Sequence, residues 1–265
     1  YNSYMMRFRI ALAQTHIILG EPATNLENAI RLIQIATNNH ANLILFPELF
    51  SSGFDLPNCE SIAVENQTFI ENISGLLQRE NLTIAGSFIE KDKQGKFHNT
   101  FYLLQPNAPI QTYRKIHLFK PLQEHMMFEA GDSPRIAQWN DQPVGLSICY
   151  DLRFPELFRK YAIEGCKIIL LSAEFPQQRI HHWEILLRAR AIENQVFIAA
   201  TNAVGRTGDL LLGGLSTIID PWGNILGKAS PDREDLLWVD INLDQVEDAR
   251  QSFSTTADYR PHLFD

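Results

Sequence analysis

Residues 144–156 read VGLSICYDLRFPE, and the arrangement of the rest of the chain follows from how they fold. Val144, Leu146 and Ile148 alternate as a short buried strand, and Pro155 suits the first turn of a helix, where its missing N–H would have no partner. The spacing predicts a strand running into Cys149 and a helix over 155–164. A thiol just before a helix start lies at the positive end of the helix dipole, which favours thiolate and makes the sulfur a better nucleophile. The competing reading is a cysteine that only packs, since free cysteines are among the most buried side chains.

Upstream, the same strand-helix-strand order recurs. Residues 8–14 (FRIALAQ) predict a strand, and Asn25 is placed to cap a helix through Asn39 whose Leu26, Ala29, Ile30, Ile33 and Ala36 repeat at helical spacing. Residues 41–46 (ANLILF) form a continuous apolar run, the signature of a strand covered on both faces. The run stops at Pro47-Glu48, which puts a carboxylate at a strand end, where open α/β proteins tend to place their ligand crevice. Asn66 is expected to open a second helix reaching about Glu80, with Phe69, Ile73, Leu76 and Leu77 on it. Strands over 83–90 and 97–104 flank a polar turn at 92–95, so a hairpin makes this sheet mixed. Residues 111–118 (QTYRKIHL) read as extended and lead into an irregular stretch, 119–133, with the character of a functional loop.

Beyond the cysteine segment come a buried strand over 167–173, a helix over 179–194 with Ile180, Trp183, Leu187 and Ala191 on one stripe, and a strand over 195–201. A turn at 220–224 joins strands 215–219 and 225–228, a last strand covers 236–241, and a short helix follows over 243–250. The two recurrences, 8–46 and 144–200, carry more doubly buried strands than one compact sheet holds. The preferred architecture is therefore a four-layer α-β-β-α sandwich of two mixed sheets, within the α/β class.

Nothing in the 265 residues marks a linker, repeat or low-complexity tract, so residues 6–265 are read as a single domain and residues 1–5 as a frayed end. A net charge of −8 argues against nucleic acid as a partner, because phosphate binding needs a basic stripe. Three cysteines, Cys59, Cys149 and Cys166, are too few for a secreted disulfide framework, and the apolar run at 168–171 is far too short to cross a membrane. A cytoplasmic location is expected.

Three residues at or near the ends of apolar runs resist explanation as packing: Glu48, Lys115 and Cys149. A base, a cation and a nucleophile suffice to hydrolyse an amide. Glu48 can take the thiol proton. The Lys115 ammonium, with the backbone N–H of Tyr150, can hold the oxyanion of a tetrahedral intermediate, and Cys149 forms a thioester that water then cleaves. Cys59 and Cys166 read as packing residues, and Ser147 lacks a histidine partner. His117, His125 and Glu124 do not have the spacing of a zinc site, and the neighbours His181 and His182 point in different directions on a helix, so neither metal nor cofactor is expected.

Residues 46–49 (FPEL), 113–119 (YRKIHLF) and 148–157 (ICYDLRFPEL) resemble, in order and approximate spacing, the motifs of the nitrilase superfamily of carbon-nitrogen hydrolases. The likeness runs from 10–14 (IALAQ) to 216–223 (STIIDPWG). It implies the α-β-β-α fold, a homodimer, no cofactor, and Glu48 as base, Lys115 as oxyanion stabiliser and Cys149 as nucleophile. It further implies that Glu124 orients Lys115 or the substrate amide. Residues 124–131 (EHMMFEAG), 173–176 (AEFP) and 182–195 (HWEILLRARAIENQ) are most similar to the omega-amidase group. That likeness implies a small-molecule substrate, a 2-oxo dicarboxylic acid monoamide such as 2-oxoglutaramate. Such a substrate carries a carboxylate, for which Arg153 and Arg179 are candidate partners, with Phe119 and Trp183 as further candidate substrate contacts. Glu174 departs from the smaller or amide residue expected there, and a second acid near the pocket would disfavour an acidic substrate. The alternatives are a related amidase for deaminated glutathione, N-carbamoyl or aliphatic amides, and a non-catalytic binding scaffold.

Overall fold

Alternation along the strands sorts the apolar side chains into separate layers. In the computed structural model, which describes residues 7–77 and 81–263, strand β1 (Arg7–Gln14) turns Ile10 and Leu12 one way and Ala11 and Ala13 the other. Ala11 and Ala13 join the layer filled by helices α1 (Pro22–Asn38) and α2 (Cys59–Leu77). Ile10 and Leu12 enter a central layer shared with the second sheet. A strand with an apolar layer on each side must be apolar on both faces, which is why residues 41–46 show no polar alternation.

The first sheet contains β2 (Leu43–Leu45), β3 (Thr83–Lys91), β4 (Phe97–Leu104) and β5 (Gln111–Arg114) beside β1. After β5 comes a short helix, α3 (Glu124–Met127), and the chain crosses to the second sheet through β6 (Ile136–Trp139) and β7 (Gln142–Ile148). Then follow α4 (Pro155–Ile163), β8 (Ile168–Ala173), α5 (Ile180–Asn194), β9 (Phe197–Asn202), and a separate hairpin of β10 (Val204–Thr207) and β11 (Leu210–Gly213). Strands β12 (Thr217–Ile219) and β13 (Ile225–Lys228) complete the second sheet. The long β14 (Asp235–Asn242) returns to pair antiparallel with β1, and α6 (Gln245–Ser252) follows it.

Strand orders are β14-β1-β2-β3-β4-β5 and β13-β12-β9-β8-β7-β6. In each sheet three parallel strands lie centrally, β1-β2-β3 and β7-β8-β9, with antiparallel strands outside. Helices α4 and α5 cover the outer face of the second sheet, with Phe158, Tyr161, Trp183 and Leu187 packed on Ile169, Leu171 and Ile198. The expected α-β-β-α sandwich is the observed fold.

Several local expectations fail for physical reasons. Neither Asn25 nor Asn66 caps a helix, because each lies inside one and uses its amide to tie the helix to a loop or strand. Asn25 bonds the N–H and C=O of Ile18 and the C=O of Ser51, while Asn66 donates to the Ile89 carbonyl at 3.1 Å. Ile30, counted with the buried stripe, is 37% exposed. The strand read over 111–118 ends at Arg114, and β6, β10 and β11 were not anticipated. The helix end at Glu80, the side chain of Leu76 and residues 1–6 lie outside the described residues.

Candidate active site

The C-terminal ends of the parallel strands of both sheets face a common point. Hydroxyls of the second sheet fix the end of β2 there: Ser172 donates to the Phe46 carbonyl at 2.8 Å and Thr201 to the Leu45 carbonyl at 3.1 Å. The chain then turns sharply, with Leu49 at φ 42° and its N–H held by Ser87 Oγ at 2.9 Å. Glu48 is thereby carried into the interior with no exposure. Its Oε1 accepts from Asn99 Nδ2 at 2.8 Å and Lys115 Nζ at 2.7 Å, and its Oε2 accepts from the backbone N–H of Glu174 at 3.1 Å.

Lys115 follows directly after β5. Its backbone N–H donates to Asn99 and its carbonyl accepts from Gly131, so the chain around it is held on both sides. The ammonium donates to Glu124 Oε1 at 2.8 Å as well as to Glu48, and both contacts are buried. Three protons serve two such partners, so one N–H is not committed to a carboxylate. Burial opposes the Lys115 charge, but the Glu124 and Glu48 carboxylates outweigh it and hold the pKa above the ordinary lysine value. Glu124 is raised as well: burial and the Glu48 charge push its carboxyl up to about 7 against the pull of Lys115.

Cys149 sits at the end of β7 in a left-handed conformation, φ 43°. The expected helix dipole is not there. A five-residue 3-10 turn, Cys149–Arg153, separates the thiol from α4 along the chain, so Cys149 is not in the cap position of that helix. Burial, followed by the Glu48 charge, keeps the thiol well above its usual pKa despite Lys115. The turn is held by Asp151, a buried carboxylate that sequence reasoning missed. It accepts from Ile148 N–H at 2.9 Å, Tyr113 OH at 2.7 Å and His117 Nδ1 at 2.8 Å. The available signal was spacing: Tyr113 lies two residues before Lys115 and Asp151 two after Cys149.

Glu48, Glu124, Cys149, Tyr150, Arg153, Phe119 and Arg179 all line one cavity of about 170 Å³. Phe54, Pro121, Leu122, Glu174, Phe175, Pro176 and Leu210 complete its wall. Trp183 is not part of it. Its indole donates to the Leu215 carbonyl at 2.9 Å and its ring lies 5.2 Å from Phe175, so it acts behind the wall rather than on a ligand. Arg153 and Arg179 stand over the rings of Phe175 and Phe119, each at 5.6 Å. Arg153 also donates to His182 Nδ1 at 3.1 Å; burial and the neighbouring cations lower the pKa of that imidazole, leaving it neutral and able to accept. His117 spends its Nδ1 on Asp151 and stacks on Phe154 at 3.6 Å, while Glu124 is paired with Lys115, so they do not converge on a cation. Among the described residues no group of three or more His, Cys, Asp or Glu is placed to hold one.

A carboxylate and a thiol from two strand ends line this cavity, with the ammonium of Lys115 buried 2.7 Å behind the carboxylate, and residues 9–251 match the carbon-nitrogen hydrolase family. The chain belongs to that family. This carbon-nitrogen hydrolase is 33% identical to the 2-oxoglutaramate amidase of Bacillus subtilis (strain 168), over 98% of this chain and 100% of the relative. It is 32% identical to Omega-amidase NIT2 of Danio rerio, over 98% and 97%. In structure it resembles an amidase from Nesterenkonia sp. AN1, with a TM-score of 0.86 and 26% identity over 97% of this chain and 95% of the other. In a variant of that amidase, the active-site cysteine carries the acetamide moiety of fluoroacetamide. The chain is thus a cysteine-dependent amidohydrolase, and its likeness to the omega-amidase group extends over nearly its whole length.

Proposed function

We propose that this hydrolase releases ammonia from a small 2-oxo dicarboxylic acid monoamide such as 2-oxoglutaramate, with Cys149 as nucleophile. The observation that carries the reading is the Cys149–Glu48–Lys115 cluster in a small cavity whose wall also holds two arginines. Because the resting sulfur is a thiol, attack needs a base at that moment. Glu48 takes the S–H proton as the C–S bond forms, and the carbonyl electron pair moves onto oxygen. The remaining Lys115 N–H and the Tyr150 N–H face the developing charge. The C–N bond then breaks as Glu48 returns its proton to nitrogen, releasing ammonia and leaving a thioester. Water, deprotonated by Glu48, attacks the thioester, and the acid leaves as the thiol re-forms. Lys115, with its pKa held high, keeps its proton throughout and acts through charge. Glu124 orients it.

Arg153 and Arg179 suit the substrate carboxylate, and Phe119 the carbon chain between. Catalytic groups drawn from both sheets support reading residues 6–265 as one domain, although its first residue and its last two lie outside the described residues. Free Cys59, Cys149 and Cys166 fit a reducing cytoplasm. Exposed Ile163, Ile185, Ile192 and Trp222, on and beside the outer helices, fit a homodimer. No helix among the described residues is long and apolar enough to cross a membrane.

The test is ammonia release from 2-oxoglutaramate. Wild type is expected to turn it over and Cys149→Ala to lose the activity with its fold intact; a wild type inactive on this substrate class removes the reading.

A further inference from the structure

Glu174 is the one carboxyl of the cavity with nothing to neutralise it. It sits just past the end of β8, 2% exposed, and its backbone N–H is committed to Glu48. Both side-chain oxygens are buried without a hydrogen-bond partner among the described residues. Oε1 lies against the turn at Gly53, where an added methyl would come within 3.6 Å of it. The charged and titratable groups around the cavity come from every side: Glu48 beyond β2, Lys115 beyond β5, Glu124 on α3, Cys149 and Arg153 in the turn after β7, and Arg179 before α5. None of them is paired with Glu174. The ammonium of Lys115 already serves two carboxylates, and Arg153 is engaged by His182.

A charged Glu174 would be a third buried carboxylate beside a single buried ammonium, and buried charge without a partner is lost by taking up a proton. Burial, then the Glu48 charge, accordingly holds this carboxyl far above the usual glutamate range. A neutral carboxylic acid has an O–H to give and an acceptor to offer, and here both are unused. We propose that Glu174 works as an un-ionised carboxylic acid that donates its O–H to an acceptor oxygen of the substrate. In this form it is a specificity-determining residue that lets an amide bearing a carboxylate enter a cavity already rich in acids. The inference rests on the amidase reading of the cavity. It also removes the objection that a second acid excludes an acidic substrate, since only the ionised form repels.

The experiment has two arms. Isotope-edited infrared difference spectra of carbon-13-glutamate-labelled wild type and Glu174→Gln at neutral pH should show a protonated carboxyl band belonging to Glu174. In kinetics, kcat/KM for 2-oxoglutaramate and for a neutral primary amide of similar length are followed against pH. For wild type the acidic amide should lose activity more steeply at alkaline pH, by up to about tenfold per unit beyond the common decline, mainly through KM. Glu174→Gln, which keeps a neutral donor, should abolish that extra decline while staying within about tenfold of wild type at pH 7. Glu174→Met should lose roughly 10- to 100-fold on the acidic amide, the usual cost of one buried hydrogen bond. A missing carboxyl band, with 2-oxoglutaramate still turned over, overturns the role of Glu174 alone. Parallel pH profiles for the two amides in both proteins do the same. Turnover of neutral amides only, at every pH, removes the substrate class and this inference together, whichever band is seen.

Discussion

Replacing Lys115 by methionine should destabilise the protein strongly, and in a pH-dependent way. The ammonium lies 2.7 Å from Glu48 and 2.8 Å from Glu124, and all three side chains are at most 1% exposed. Removing one member of a buried ion pair strands its partner's charge, which costs about 3–5 kcal/mol. For a chain of this size that corresponds to a melting point lower by roughly 6–20 °C. The sign of the pH effect follows from Glu124, whose carboxyl is already pushed up to about 7 with Lys115 present. Without the cation, which pulls it down, Glu124 gains further reason to hold its proton. A carboxyl with a raised folded-state pKa gives stability that is complete below its unfolded value and is lost as pH rises through the folded one. The deficit of Lys115→Met should therefore be largest at pH 8 and shrink toward pH 5, and adding Glu124→Gln should recover part of it at pH 8. Denaturant titrations of the three proteins at both pH values measure this. A deficit under about 1 kcal/mol at pH 8, as an exposed pair would give, would refute the buried cluster.

Two further outcomes are expected. A haloacetamide should alkylate Cys149 before Cys59 and Cys166, read by peptide mass spectrometry, because Cys149 lines the cavity with Glu48 as base. Burial leaves the other two at 1% and 0% exposure with thiols pushed up to about 11 and about 12. The labelling rate should keep rising above neutral pH and fall in Glu48→Gln, whereas faster labelling of Cys59 or Cys166 contradicts the geometry. Gly131→Ala should lower kcat by about 100-fold with a smaller effect on stability, since its methyl would overlap the Arg114 carbonyl oxygen and shift the strand end that carries Lys115. Wild-type kcat in that variant would show that the site tolerates movement there.

The layers and the candidate catalytic groups were legible because both are written in local pattern. Residues 43–46 and 168–171 are apolar throughout since each strand is covered twice, and Glu48 and Cys149 are conspicuous because they follow such runs. What escaped was long-range. Asn25 and Asn66 have the side chains of helix caps, but the same amide that caps a helix also bridges two backbones, and only the fold shows which it does. Asn99, Asp151 and Ser87 are ordinary polar residues in sequence and become recognisable only once β4, the Cys149 turn and β3 are brought beside Glu48 and Lys115. The β10–β11 hairpin, which sends Leu210 to the cavity wall, has little apolar periodicity of its own and leans on the first core through Leu212.

The misplaced helix dipole bears on mechanism. Were Cys149 at a helix N-terminus, it would rest as thiolate and Glu48 would be needed only for the later proton transfers. With α4 displaced by the turn that Asp151 holds, burial and Glu48 instead keep the sulfur protonated. In the proposed mechanism attack and proton removal must then coincide, which ties reactivity to a substrate whose carbonyl is already held at Lys115. The same arithmetic of charge governs the whole cavity. One ammonium offsets one carboxylate of the two carboxyls it touches, the second, Glu124, has its pKa pushed up to about 7, the thiol keeps its proton, and the third carboxyl, Glu174, keeps one as well. In the proposed function, a substrate's negative end meets Arg153 and Arg179, which line the cavity wall, rather than this acid-rich interior.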